Sequence, residues 1–168
     1  HNEAGVIRCC NGTTPVYIFD IEGMKIAGYL SHIGSAMAGG DVIDANWLTG
    51  AGKFIMFGSA GSLDSKSTDG KFVIPTESYR EEGMSYNYVK PADFIEIKNS
   101  DIVKNIFDEL KLPNVQGKVW TTDAIYRETR AKLSARKADG CIAVEMELAG
   151  VQAVCDFYGW ELYNFLAT

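Results

Sequence analysis

The sequence predicts an α/β domain in which helices pack on both faces of a β-sheet, a three-layer arrangement. Short runs of β-branched and aromatic residues alternate along the chain with segments whose apolar residues recur at helical spacing. The composition is that of a globular protein, with 46% hydrophobic and 23% charged residues, which excludes a disordered or collagen-like chain. A length of 168 residues suits one domain with a buried core.

The first elements are predicted to be a β-hairpin and a helix. Residues 15–20 and 24–33 form the two strands, and Gly23 lies in the turn between them. Ser35 is the expected cap of a helix in which apolar residues recur at helical spacing until Gly50 ends it.

The alternation of strands and helices continues to the end of the chain. Strands are predicted at residues 53–57, 72–74, 118–121, 141–144 and 160–166, of which the first is of the buried type and the second is stopped by Pro75. Helices are predicted at 99–110, capped by Asn99 and Ser100, at 127–137, and at 148–158. Ligands bind outside the carboxyl ends of strands in such sheets, so chemistry is expected in residues 58–61, 79–88, 121–127 and 145–147.

The charge of the chain argues against a nucleic-acid partner, and its hydropathy argues against a membrane span. The 16 basic and 22 acidic residues give a formal net charge of -6 and an isoelectric point near 4.9, which disfavours a groove for duplex phosphates. A small local anion site is compatible with this charge. No apolar run approaches the roughly 20 residues that span a bilayer, and no signal peptide is evident.

Cysteine and histidine are too sparse to predict a metal site or a nucleophilic triad. The cysteines lack CxxC spacing and a histidine cluster, which predicts reduced thiols in a cytoplasmic protein. They are Cys9, Cys10, Cys141 and Cys155. The two histidines, His1 and His32, are too separated for a zinc site, and neither completes a Ser-His-Asp set. Cys141 and Cys155 lie among apolar residues and are expected in the core.

The loop at residues 58–61 follows a predicted strand and has the composition of an anion site. Gly58 and Gly61 let the backbone approach a ligand, and the loop N–H groups beside the Ser59 hydroxyl can bind a phosphate. The spacing matches neither a Walker loop nor GxGxxG. A tight turn without a ligand is the alternative.

Two carboxylates flank Met146 at a predicted strand–helix junction between apolar residues. Buried carboxylates need partners because unpaired buried charge is costly, and the neighbouring hydroxyls of a sugar would serve. Glu145 and Glu147 are therefore candidate sugar ligands, and Met146 can pack on the apolar face of the sugar. The alternative is that either carboxylate only stabilises the helix N-terminus through the macrodipole.

Two further loops combine polar and aromatic residues. Residues 80–88 either line a pocket for a flat base or form a solvated loop. In residues 121–129, Tyr126 can stack and Arg127 can bind an acceptor or anion, whereas Asp123 is expected only to cap the turn.

Taken in order, these segments resemble the nucleoside phosphorylase superfamily of the purine and uridine phosphorylase type. The resemblance covers residues 15–168, and within the superfamily the sequence is most similar to bacterial uridine phosphorylase-like proteins. It rests on the helix start Gly34-Ser35, FGSAGS at 57–62, REEGMSYNY at 80–88, WTTDAIYRET at 120–129 and VEME at 144–147. It implies a three-layer α/β/α fold with a central mixed sheet, in a single domain over residues 1–168 that is incomplete at both termini.

The resemblance also implies a function, phosphorolysis of a nucleoside to free base and ribose 1-phosphate, in a cytoplasmic homo-oligomer, either dimer or hexamer. Inorganic phosphate is the co-substrate, and no metal or organic cofactor is implied. The implied catalytic residues are Glu147 and Ser59. Phosphate binding falls to Gly58 and Ser59, ribose binding to Glu145, Met146 and Glu147, and base binding to Gly61, Ile125, Tyr126 and Arg127.

Three departures from the family keep alternatives open. Met56 stands where many members have a phosphate-binding arginine, and no clear glutamine follows Tyr126 to read uracil. The family's N-terminal glycine-rich phosphate loop and its C-terminal aspartate would lie before His1 and after Thr168, so the chain is expected to be an incomplete or inactive fragment of an enzyme domain. A nucleosidase of the same fold, which uses water, and a non-catalytic nucleoside-binding module are the alternatives.

Overall fold

The computed structural model describes residues 2–9 and 12–168, which form strands, helices and two short 3-10 turns. In chain order the elements are β1 (Asn2–Cys9), β2 (Gly12–Ile21), β3 (Met24–Gly28), α1 (Ser35–Thr49), β4 (Lys53–Ser59), β5 (Gly61–Ser62), α2 (Ser65–Thr68), β6 (Phe72–Glu81), β7 (Phe94–Glu96), α3 (Ser100–Glu109), β8 (Asn114–Thr122), α4 (Arg130–Ala138), β9 (Cys141–Glu145), α5 (Leu148–Tyr158) and β10 (Glu161–Ala167). The 3-10 turns cover Ser85–Asn87 and Ile125–Arg127. His1 and Cys10 lie outside the described residues.

The strands form two sheets. The larger sheet has the order β4-β10-β6-β8-β9-β5, with β7 paired to β6. It is mixed, because β4 is parallel to β10 and β6, β8 and β9 are parallel to one another, while β10 and β6 are antiparallel. The smaller sheet is antiparallel and has the order β1-β2-β3.

Helices cover both faces of the larger sheet, which confirms the predicted three layers. Neighbouring residues of a strand point to opposite faces. Val73 packs in the cluster that contains buried residues of α1 and α5, whereas the next residue, Ile74, packs against α3. Trp120 of β8 and Leu133 of α4 belong to a further cluster on the sheet.

The predicted hairpin is confirmed as β2 and β3, but its second strand ends at Gly28 and not at residue 33. The chain leaves the sheet because it is bound to α1 instead. The His32 backbone N–H donates to Asp41 Oδ2 at 2.8 Å, which holds the connection against that helix. β1 precedes the first predicted strand and pairs with β2.

Two strand predictions are wrong in part. β6 continues through Pro75 to Glu81, because the pairing with β8 shifts register between Pro75 and Ser78 and so tolerates a residue without an N–H. β4 is not of the buried type: Ile55 and Phe57 are 67% and 70% exposed. β4 lies at one end of the strand order, and the Phe57 ring stacks on Phe165 of the neighbouring β10 with ring centroids 5.4 Å apart.

The predicted helices are confirmed, with different capping. Ser35 and Asn99 make no side-chain cap bond; the Asn99 amide donates instead to Leu162 O of β10. The helix predicted from residue 127 starts at Arg130, where Thr129 accepts a hydrogen bond from the Lys132 N–H. Within the described part of the chain, no helix is both long and apolar enough to cross a membrane.

Candidate active site

The carboxyl ends of three parallel strands bring three of the four predicted segments together. Arg80 of β6 pairs with Thr121 of β8, and Thr121 pairs with Glu145 of β9. These residues therefore lie in one row across the sheet, at the edge where the chain leaves each strand.

The serine loop reaches the same place by another route. β4 ends at Ser59, beside Ala167, and β5 then pairs antiparallel with β9 so that Gly61 lies opposite Val144. A Cβ at Gly61 would lie 3.0 Å from Val144 Cγ1, so glycine allows the two strands to approach closely. The loop is therefore adjacent to the residue that precedes Glu145.

The serine loop is open to a ligand but offers fewer amide donors than expected. Gly58 and Ser59 are exposed. The Ala60 N–H donates to Ala167 O at 2.8 Å, so the sheet uses this donor and an anion would not receive it. Phosphate binding by Gly58 and Ser59 remains a prediction.

The Glu147 carboxylate is held in place by the start of α1. The Gly34 N–H donates to Glu147 Oε1 at 2.6 Å, and the Ser35 hydroxyl donates to Met146 O at 3.1 Å. Among the described residues, Glu147 Oε2 receives no hydrogen bond. Glu147 is half-buried, so one of its oxygens is fixed while the other is available to a ligand.

Close packing of α5 on α1 supports this arrangement. A Cβ at Gly150 would lie 2.6 Å from the Ser35 Cβ, so only glycine lets α5 come this near. The sequence identified Gly34 and Ser35 as a helix start, but it did not show that they contact residues 146 and 147.

Glu145 is buried, and both oxygens of its carboxylate accept hydrogen bonds from neighbouring residues. Oε2 accepts the backbone N–H groups of Glu147 and Leu148, both at 2.7 Å, and Oε1 accepts the Thr121 hydroxyl. Burial raises the pKa of Glu145 from 4.5 to about 7, although these three donors act to lower it. The geometry therefore matches the alternative in which Glu145 stabilises the N-terminus of α5, and its ribose contact remains a prediction.

Two residues with hydroxyl side chains, Ser78 and Thr121, lie behind Glu145 and were not identified from the sequence as part of the site. Thr121 Oγ1 accepts the Ala149 N–H at 3.1 Å and lies 2.6 Å from Ser78 Oγ. Ser78 and Thr121 are fully buried and tie β6, β8 and α5 together beneath the site. The adjacent threonines at the end of a predicted strand were the only local signal for this network.

In the loop at residues 80–88, the side chains of Arg80 and Glu82 are buried and bind the loop itself, whereas Tyr86 and Asn87 are exposed. Arg80, only 3% exposed, donates from Nε to Ser85 Oγ at 2.7 Å and from Nη1 to Lys90 O at 2.8 Å. Glu82 Oε2 accepts the Met84 and Ser85 N–H groups. Arg80 therefore braces its own loop through Nε and Nη1, while its buried Nη2 has no hydrogen-bond partner among the described residues.

The predicted base-binding residues lie on an exposed 3-10 turn. Ile125, Tyr126 and Arg127 are exposed, Tyr126 at 96%. Asp123 Oδ2 accepts the Gly83 N–H at 3.0 Å and so connects this turn to the loop at residues 80–88, whereas the Ala124 N–H within the turn donates to Thr122 Oγ1. The expectation that Asp123 only caps its own turn is therefore wrong. Base binding by the exposed residues stays a prediction.

A curled mixed sheet between helix layers matches the nucleoside phosphorylase and nucleosidase fold. The chain belongs to the phosphorylase superfamily, whose family model matches residues 3–167.

Two solved structures from Helicobacter pylori are similar to this chain. A futalosine hydrolase mutant of strain 26695 matches with a TM-score of 0.78 and 18% identity, over 97% of this chain and 77% of that one. H. pylori MTAN matches with a TM-score of 0.77 and 19% identity, over 97% of this chain and 78% of that one. These likenesses show the fold; the narrower resemblance to uridine phosphorylase-like proteins stays a prediction.

Proposed function

We propose that this chain binds a nucleoside and cleaves its N-glycosidic bond. The observation that carries the proposal is the Glu147 carboxylate, in which the Gly34 N–H holds Oε1 while Oε2 faces no described donor. A carboxylate with an available oxygen can accept hydrogen bonds from the 2′ and 3′ hydroxyls of ribose. Membership of the phosphorylase superfamily supports a nucleoside as the source of that ribose.

The proposed chemistry needs negative charge near the sugar. Departure of the base gives an oxocarbenium-like transition state, and an oriented carboxylate stabilises the positive charge that develops on the ring. Met146, next to Glu147, packs on the apolar face of the sugar. Glu145 acts indirectly, because its hydrogen bond from the Glu147 N–H keeps this segment in place. The reaction requires no metal or organic cofactor.

The acceptor is phosphate or water, and different observations favour each. The exposed Ser59 hydroxyl favours phosphate, which would make the enzyme a pentosyltransferase. Water is favoured by Met56, which packs against the core in the position where many family members carry a phosphate-binding arginine. The name of futalosine hydrolase, one of the similar structures, also describes a hydrolytic enzyme.

We further propose that the base lies beside Gly61 and the turn that carries Ile125, Tyr126 and Arg127. The exposed ring of Tyr126 offers an aromatic face on which a base can stack. In a homo-oligomer, a neighbouring copy would cover this exposed turn.

Product analysis tests the proposal. The chain is incubated with inosine, adenosine or uridine, with and without inorganic phosphate. Phosphorolysis yields ribose 1-phosphate only when phosphate is present, and Ser59→Ala raises the KM for phosphate. Hydrolysis yields free ribose at equal rates in both conditions. Glu147→Gln lowers either rate, whereas Glu96→Gln, a control at an exposed position on β7, does not. A folded chain that neither binds nor cleaves any of these nucleosides contradicts the proposal.

A further inference from the structure

Cys9, His32 and Asp41 form a hydrogen-bonded row on the side of the fold that carries the smaller sheet. Cys9 ends β1, His32 lies between β3 and α1, and Asp41 lies within α1. Cys9 Sγ is 3.2 Å from His32 Nε2 and 3.5 Å from Gly12 O, and His32 Nδ1 is 2.9 Å from Asp41 Oδ2. The sequence offered no histidine partner for a cysteine, because Cys9 and His32 are brought together only by the fold.

The Asp41 carboxylate determines which ring nitrogen of His32 carries the proton. Asp41 is buried and accepts both the His32 backbone N–H, at 2.8 Å, and a hydrogen bond from the ring Nδ1. The Nδ1 proton is therefore directed at Asp41, which leaves the Nε2 lone pair pointing at the Cys9 thiol. A nucleophile, a base and a group that orients the base stand in sequence, the arrangement that activates a thiol.

We propose that Cys9 is a nucleophilic thiol activated by His32 and Asp41, and that it is a modification site for small disulfides. In the reaction, the Cys9 proton passes to His32 Nε2 and the thiolate attacks one sulfur of the disulfide. A new sulfur–sulfur bond forms, the old one breaks, and the leaving thiolate takes the proton from His32. The products are a mixed disulfide at Cys9 and one small thiol, so no further oxidant is needed.

Accessibility distinguishes Cys9 from the other described cysteines. Cys9 is half-buried at the end of a strand, whereas Cys141 and Cys155 are buried. Burial also raises the pKa of Cys141 to about 11 and of Cys155 to about 12, which keeps both as inert thiols. These two cysteines therefore serve as internal controls for the folded state.

The experiment compares labelling rates in the native and urea-unfolded chain by peptide mass spectrometry, in a Cys10→Ser background that assigns the signal to Cys9. The probes are iodoacetamide and glutathione disulfide. Native Cys9 is expected to react at least about ten-fold faster than unfolded Cys9, while Cys141 and Cys155 react more slowly in the native chain. A native Cys9 rate at or below its unfolded rate overturns the proposal, because a merely packed thiol is shielded by folding.

His32→Asn distinguishes activation of the Cys9 thiol from the hydrogen bond that holds the β3–α1 connection against Asp41. The asparagine amide can still donate to Asp41, but it provides no base at the Nε2 position. In the folded variant, recognised by protected Cys141 and Cys155, the Cys9 rate is expected to fall towards the unfolded value. An unchanged rate there contradicts the role of His32. If the variant does not fold, the comparison of native with unfolded chain decides the proposal.

Discussion

Replacing Glu145 by glutamine is expected to remove a pH dependence from the stability of the fold. Burial raises the pKa of this carboxyl from 4.5 to about 7, so the folded chain binds the proton more tightly than the unfolded chain does. The resulting contribution to stability is complete below pH 4.5 and is lost as the pH rises through about 7. Each tenfold change in proton affinity is worth about 1.4 kcal/mol, which gives a total of about 3 kcal/mol.

Glutamine can make the bonds of the protonated side chain, because its oxygen accepts the Glu147 and Leu148 N–H groups and its amide donates to Thr121. Urea unfolding of both chains at about pH 5 and about pH 8 measures the effect. Between these values the variant should gain about 2 to 3 kcal/mol relative to wild type. Glu96→Gln, at an exposed position, removes the same formal charge and should show no such gain. A stability difference that is the same at both pH values would refute the reasoning.

Two further predictions concern packing and the braced loop. Gly150→Ala places a Cβ 2.6 Å from the Ser35 Cβ, so its free energy of unfolding in urea should fall by about 1 to 3 kcal/mol. Gly40→Ala, whose Cβ would meet no atom within 4 Å, should not lower the free energy of unfolding. Equal stability of the two variants would contradict the close α1–α5 contact. Arg80→Lys loses the two separate hydrogen bonds to Ser85 Oγ and Lys90 O, so its free energy of unfolding should fall by about 2 kcal/mol. Arg130→Lys, at an exposed position, should change the free energy of unfolding by no more than about 0.5 kcal/mol. Full stability of the Arg80 variant would show that the brace is dispensable.

Local sequence patterns predicted the elements well because each depends on neighbouring residues. The apolar spacing of α3 and the apolar run of β10 are both visible in the sequence, and both are confirmed. Pro75 was misjudged because the register shift that accommodates it belongs to the pairing of β6 with β8 and not to β6 alone.

The site was predictable in composition but not in its contacts. The pair Glu145 and Glu147 marked the strand–helix junction. That Glu145 is fully bonded whereas Glu147 keeps one oxygen available depends on residues far away in the sequence. Gly34 approaches Glu147 across more than a hundred residues of chain, and Thr121 reaches Glu145 only because β8 and β9 are neighbours. The contact of Cys9 with His32 was missed for the same reason.

The central claim is that Glu147 receives the ribose hydroxyls of a nucleoside. Calorimetry of wild type and Glu147→Ala, each with a nucleoside that the chain binds and with its 2′,3′-dideoxy analogue, tests this contact alone. Glu96→Ala, which removes a carboxylate at an exposed position on β7, is the matched control.

The wild-type chain should bind the nucleoside more tightly than the dideoxy analogue by roughly 1.5–3 kcal/mol, the range expected for hydrogen bonds to a charged group. In Glu147→Ala that preference should disappear, because the acceptor is gone, while the control retains it. A folded Glu147→Ala variant that still prefers the nucleoside by the wild-type margin would contradict the account.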